Sequence, residues 1–258
     1  MNVASSEIVI VGGGQAGLAL SYRLTELGRR KPWTAVEVLE VREETAHVRT
    51  LVLDAPGWPG HRAGQSVDVR LTAADGYATQ RPYSLASAPE DPRLELTVQR
   101  LEDGEVSPYL AGELRVGDRF EIRGPGGRSF SWHVEDGGPL LLVAGGAGLV
   151  PLRAMLRHRL AQGADLETCL VLSVRSPDHL LYRDELAAWE AAGVQVVVTF
   201  TRTGPRRRVD RGLLEQAGPA AHVFVCGSTA FVETTATLLI GLGHDPEAVR
   251  TERFGGTV

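Results

Sequence analysis

The chain has 258 residues, 43% of them hydrophobic and 23% charged, which is enough to bury a substantial core and to build more than one small domain. Its net charge of -5 offers no general attraction to a polyanion and so excludes nucleic acid as a partner on bulk electrostatics. The two cysteines, Cys169 and Cys226, are far apart and too few to ligate a protein-bound iron–sulfur centre, so no metal is expected.

No run of about 18 apolar residues could span a membrane, and the first residues carry neither a basic leader nor a cleavage site. The expected compartment is therefore the cytoplasm. Lys31 is the only lysine, and the other 26 of the 27 basic residues are arginine. A bias that pervades the whole chain deprives any single arginine of weight as a phosphate ligand.

In chain order, the apolar residues 8–11 lead into Gly12, Gly14 and Gly17 and then into the apolar stretch 18–27. This is the strand, glycine turn and helix of a dinucleotide fingerprint, with Glu40 at the offset of a ribose ligand. No further βαβ units follow, and residues 36–41 are also needed as a first barrel strand. Residues 1–31 are therefore read as an N-terminal βα appendage.

Short alternating segments come next, at 36–41, 48–54, 66–72, 83–87, 94–100 and 119–123, separated by turns such as Val116-Gly117-Asp118. Six strands at this spacing predict an antiparallel Greek-key β-barrel over residues 32–134, with a short helix at 108–114. Past Asp136-Gly137-Gly138-Pro139 the rhythm changes. Apolar strands at 140–144, 168–174, 194–201 and 222–225 alternate with helices at 152–162, 180–192 and 231–242. That alternation predicts an α/β parallel-sheet nucleotide-binding domain over residues 135–258, making a two-domain protein.

Arg81-Pro82-Tyr83-Ser84 sets a guanidinium, a flat phenol and a hydroxyl within four residues, a set suited to a cofactor with a phosphate, a ring and a polar ring edge. Pro82 restricts the segment to an edge strand or a strand start. Gly145, Gly146 and Gly148 lie between an apolar strand and a helix opened by Pro151, which lets a pyrophosphate approach the backbone. Arg175 ends the second parallel strand, where a basic residue favours the 2′-phosphate of NADP. Arg202, Arg206, Arg207 and Arg208, beyond the third strand, are placed to add to that site, but against the pervasive arginine bias they read as a solvated loop.

From about residue 33 to the C-terminus, these motifs in this order resemble the ferredoxin-NADP reductase family, in which a flavin barrel precedes a nicotinamide-nucleotide domain. Arg81 to Ser84 look like the family's RxYS signature. His61 to Gln65 resemble its H-x-P-G-Q entry, with Ala63 in place of the proline. Gly104-Glu105-Val106-Ser107 is similar to its second flavin phosphate clamp, with Arg100 near the pyrophosphate. Cys226-Gly227 resembles the C-G motif beside the nicotinamide, and Glu252-Arg253-Phe254 the closing E-x-F/Y strand.

The resemblance implies bound FAD, with NADPH as hydride donor and NADH as the alternative. It also implies that Ser84, Cys226 and Glu252 surround the reacting rings, with Cys226 packing and positioning and not attacking. Electrons would leave for a separate acceptor: a ferredoxin, an oxygenase component, a haem protein or a small molecule. Two other readings stay open, a reductase of free flavin or small molecules and a non-catalytic flavin-binding subunit.

Overall fold

A computed structural model describes residues 31–73, 75–204 and 207–254. The N-terminal glycine fingerprint, Arg206 and Gly255 lie outside the described residues. From Thr34 onward the chain forms one compact unit that holds two sheets.

The first sheet is antiparallel and contains β1 (Thr34–Thr45), β2 (Val48–Asp54), β3 (Ser66–Thr72), β4 (Ala78–Ser84), β5 (Leu94–Gln99) and β6 (Arg119–Gly126), in the order β4-β3-β6-β1-β2-β5. The two end strands meet just beyond β4: Leu85 bridges Leu96, and the Ala86 N–H donates to the Glu95 carbonyl at 2.8 Å. This contact closes the sheet into a barrel around Val36, Val38, Leu51, Leu53, Val67, Leu85, Leu96 and Ile122. The segment that an N-terminal βαβ fold would have claimed as its second strand is thus β1 of the barrel.

β4 begins and ends earlier than the expected 83–87. Thr79, Gln80, Arg81 and Pro82 lie along a sheet edge, polar or exposed, so no apolar alternation announces the strand. The edge position also accommodates Pro82, whose missing N–H costs no ladder bond there. The expected helix at 108–114 is a single wide turn, Tyr109–Glu113, in which the Leu114 N–H donates to the Tyr109 carbonyl.

The second sheet is parallel, in the order β11-β10-β7-β8-β9, from β7 (Leu140–Gly145), β8 (Thr168–Val174), β9 (Val194–Phe200), β10 (His222–Ser228) and β11 (Val249–Phe254). Its helices are α1 (Leu149–Ala161), α2 (Arg183–Ala191), α3 (Arg211–Gln216) and α4 (Thr229–Gly241). α1 starts three residues before the expected 152. Pro151 occupies its third position, where the backbone N–H has no intrahelical partner to lose. α2 starts at Arg183 and not at 180, because Leu181 and Tyr182 turn into the core first. The short α3 was not anticipated, although Asp210 caps it by accepting from the Leu213 N–H at 2.9 Å.

The core on one face of the parallel sheet runs without interruption into barrel residues Val48, Ala63, Ala86, Phe130 and Trp132. A second core, with Val171, Leu214 and Val232, covers the other face. No helix among the described residues is long and apolar enough to cross a membrane. Leu96 is fully buried at the seam that closes the barrel. Leu96→Ala should destabilise the protein by about 2–5 kcal/mol, read as a lower urea midpoint.

Candidate active site

β4 delivers its functional side chains at its C-terminal end. Arg81 is exposed, and its guanidinium donates to Glu105 Oε2 at 3.0 Å. Glu105 also accepts from the Thr79 hydroxyl at 3.2 Å and the Tyr77 hydroxyl at 3.5 Å. A carboxylate therefore sits where Arg81 would grip a phosphate, and the donor set fits an anion. Tyr83 is half-buried, and burial pushes its phenol up to about 12, keeping it neutral. Ser84 is buried and donates to Glu252 Oε2 at 3.2 Å.

The loop before the wide turn is stapled by Ser107, whose Oγ accepts from the Leu101 N–H at 3.1 Å. The turn follows Pro108 with no side-chain cap. Gly104 is required because a Cβ there would lie 2.7 Å from Ser107 Oγ. Val106 is buried in the barrel core, its carbonyl accepting from the Leu110 N–H at 3.1 Å, and Arg100 is exposed just past β5.

In the parallel sheet, β7 and β10 are neighbours from which the strand order runs in opposite directions, so the crevice beyond their carboxyl ends is a topological switch point. Gly145, Gly146 and Gly148 line it. Gly146 has φ +56°, and a Cβ there would meet nothing within 4 Å, which leaves open space for a phosphate against the backbone. A Cβ on Gly148 would fall 2.0 Å from the Cys226 carbonyl oxygen, so the turn packs directly on β10. Cβ atoms on Gly145 and Gly227 would each lie 2.8 Å from Phe231 Cδ1. Phe231, missed at the level of sequence, thus seats both glycines on one ring. Its spacing from Gly227 carries no signal until both strands are in place.

Arg175 and Arg202 lie beyond the ends of the adjacent strands β8 and β9, where the Arg202 N–H donates to the Arg175 carbonyl at 2.9 Å. Both side chains are exposed, and neither forms an ion pair among the described residues. Arg207, in contrast, pairs with Asp210 at 2.8 Å.

β10 and β11 set Cys226 directly beside Glu252, and Phe254 beside Ser228. Burial pushes the Glu252 carboxyl up to about 7, and the Ser84 hydroxyl pulls it partly back. Burial, reinforced by Glu252, raises the Cys226 thiol well above its ordinary value, so it stays protonated and is a poor nucleophile. Ser84, Glu252, Cys226 and Gly148 therefore form one continuous chain of contacts from the barrel edge to the glycine turn.

The family of oxidoreductase FAD-binding domains matches residues 36–131, and that of oxidoreductase NAD-binding domains matches residues 142–237. Ferredoxin–NADP reductase B of Sorangium cellulosum is 36% identical over 209 residues, covering 74% of this chain and 84% of that protein. The chain belongs to the ferredoxin–NADP reductase family. The ferredoxin–NAD(P)+ reductase component of the naphthalene 1,2-dioxygenase/salicylate 5-hydroxylase systems of a Ralstonia species is 34% identical, over 84% of this chain and 67% of that one. In fold, the chain is similar to a ferredoxin NADP+ reductase from Neisseria gonorrhoeae solved with FAD and NADP, with a TM-score of 0.74, 24% identity, and coverage of 86% and 98% of the two chains. As a member of the ferredoxin–NADP reductase family, the chain is an oxidoreductase that carries electrons from a pyridine nucleotide through FAD to an acceptor.

Because Glu252 binds its proton more tightly folded than unfolded, its contribution to stability is complete below its ordinary 4.5 and is lost as pH rises through about 7. Glu252→Gln should therefore raise the melting temperature of the cofactor-free protein by roughly 2–6 °C at pH 8.5 and by less than about 1 °C at pH 4, read by differential scanning calorimetry.

Proposed function

We propose that this chain is an NADPH-dependent reductase in which residues 32–134 bind FAD, residues 135–258 bind the dinucleotide, and Ser84, Cys226 and Glu252 border the reacting rings. The reading is carried by the hydrogen bond from Ser84 to Glu252, which joins the end of the RxYS strand to the strand beside Cys226. FAD, when bound, supplies the chemistry: it takes a hydride from the nicotinamide and passes electrons on singly.

Arg81 would hold a flavin phosphate in place of the Glu105 carboxylate, and the Ser107 hydroxyl, which accepts from the Leu101 N–H, would keep its own proton to donate to a second one. Tyr83 offers a neutral, flat face, and Ser84 a donor at the ring edge. Cys226 and Gly227 keep the floor of the cleft thin, and Phe254 closes its rim. Burial keeps Glu252 partly protonated near neutral pH, so the cleft does not confront the incoming ring with a full negative charge. Arg100 adds positive charge near the pyrophosphate.

Arg175 and Arg202, adjacent in backbone and without an ion pair among the described residues, support NADPH over NADH, since two guanidiniums suit a 2′-phosphate dianion. The acceptor is a ferredoxin or an oxygenase component, as the names of the relatives suggest. Cytoplasmic residence accords with two buried, unbridged cysteines.

Anaerobic mixing with NADPH and NADH in parallel tests the reading. The yellow protein should bleach with NADPH and then be reoxidised by a ferredoxin or oxygenase component. Persistence of the colour with both nucleotides would leave only a flavin-binding subunit. Arg81→Ala should weaken FAD binding by about 10- to 100-fold in a flavin fluorescence titration, the loss of charge-assisted hydrogen bonds to phosphate. Arg175→Asp should reverse the ratio of kcat/KM for NADPH over NADH, with the NADPH value falling by roughly 100-fold.

A further inference from the structure

We propose that Arg153, on α1, is a positioning residue that sets the spacing between the flavin-facing strand and the dinucleotide turn. The inference rests on the two-cofactor reading above and adds to it the group that brings the two sites into register.

Arg153 lies two residues after Pro151, in the helix that the glycine turn opens, and its side chain is 1% exposed. Its NH1 donates to the Ala86 carbonyl at 3.0 Å and to Glu95 Oε2 at 2.5 Å. Its Nε and NH2 both donate to Glu185 Oε1, at 2.8 and 2.5 Å. Ala86 is two residues beyond Ser84, and its own N–H is bonded to the Glu95 backbone. The guanidinium therefore clamps the stretch of chain that leaves Ser84, at the point where the barrel closes. Its helix starts from the turn whose Gly148 packs against the Cys226 carbonyl. Arg153 thus ties the helix that starts on the Cys226 side of the cleft to the chain that leaves Ser84.

The surroundings reinforce this arrangement. The guanidinium lies 4.4 Å over the ring of Tyr182, a non-glycine residue held in the left-handed region at φ 52°, ψ 42°. Tyr182 is buried, and its hydroxyl donates to Thr97 Oγ1 at 2.6 Å, in the same strand as Glu95. Arg42 joins Glu95 from β1. A lysine at 153 would bring charge but not the fork that engages a carbonyl and two carboxylates at fixed angles. A shift of about 1 Å between reacting groups can cost about 100-fold in rate, so such a fork bears on catalysis without touching a cofactor.

The test uses the FAD-loaded protein, the single variant Arg153→Lys, and the triple variant Arg153→Met with Glu95→Gln and Glu185→Gln, which removes the three buried charges together and leaves Arg42 its Glu40 at 3.6 Å and Arg157 its Asp91 at 2.6 Å. Four quantities are read: the Kd for FAD, the Kd for NADP+, the difference spectrum that NADP+ induces in the oxidised flavin, and the bleaching rate at saturating NADPH. Each cofactor site draws its ligands from its own sheet, so both Kd values should stay within about threefold of wild type. The NADP+ difference spectrum should be lost or reshaped, and the saturating rate should fall by about 30-fold or more in both variants. If either folded variant keeps the wild-type spectrum and rate, or if the only change is a lower melting temperature or weaker FAD binding, the proposal is overturned. Should the triple variant fail to fold, Arg153→Lys decides alone. A wild-type protein that binds no FAD, or that neither nucleotide bleaches, would sink the two-cofactor reading instead.

Discussion

A guanidinium buried between two carboxylates is the interaction on which the arrangement of this molecule depends. Arg153 comes from α1, Glu185 from α2 and Glu95 from β5, so the cluster ties the helical cover of the parallel sheet to the closing seam of the barrel. Burial pushes the Glu95 carboxyl up, but Arg153 and Arg42 together outweigh that and hold it below the ordinary carboxylate range. Such a cluster is weak evidence for stability, because taking the charges out of water costs about as much as their attraction returns. Its effect is directional: apolar contacts among Val48, Ala86 and Trp132 tolerate sliding, whereas a planar fork does not.

Given that register, the ends of three strands meet at one cleft. β4 brings Ser84, β10 brings Cys226, and β11 brings Glu252 between them. The electrostatics of the cleft are those of a dry, proton-retaining site: burial raises Tyr83, Cys226 and Glu252 alike. Among the described residues, no side chain there is poised as a nucleophile. That suits chemistry carried by cofactors, in which the protein contributes placement and the exclusion of water.

Much of the site was legible in the sequence because its residues are adjacent along the chain. Arg81 to Ser84 and Gly145 to Pro151 each work as a local unit whose residue types declare the ligand they suit. Residues that act only through long-range contacts stayed hidden. Phe231 presses on glycines from two different strands, and that the Arg202 backbone lies against Arg175 shows only once β8 and β9 pair. Arg153 and Tyr182 both looked like ordinary helix positions. The carboxylate of Glu105 on Arg81 was equally invisible, since it depends on a loop folding back over an edge strand.

What the sequence determined by itself was local and periodic. Alternating apolar residues specified the barrel strands other than β4, unbroken apolar runs specified the parallel strands other than β11, and glycines and prolines marked the turns. Tertiary structure alone decided which strand ends share a cleft, how the barrel seam closes, and which arginines are consumed in ion pairs. The physical reason is that patterning dictates which face of an element is buried, but not which of many apolar faces it is buried against. That choice falls to a few directional contacts between residues such as Ser84 and Glu252, 168 positions apart, or Arg153 and Glu95, 58 apart.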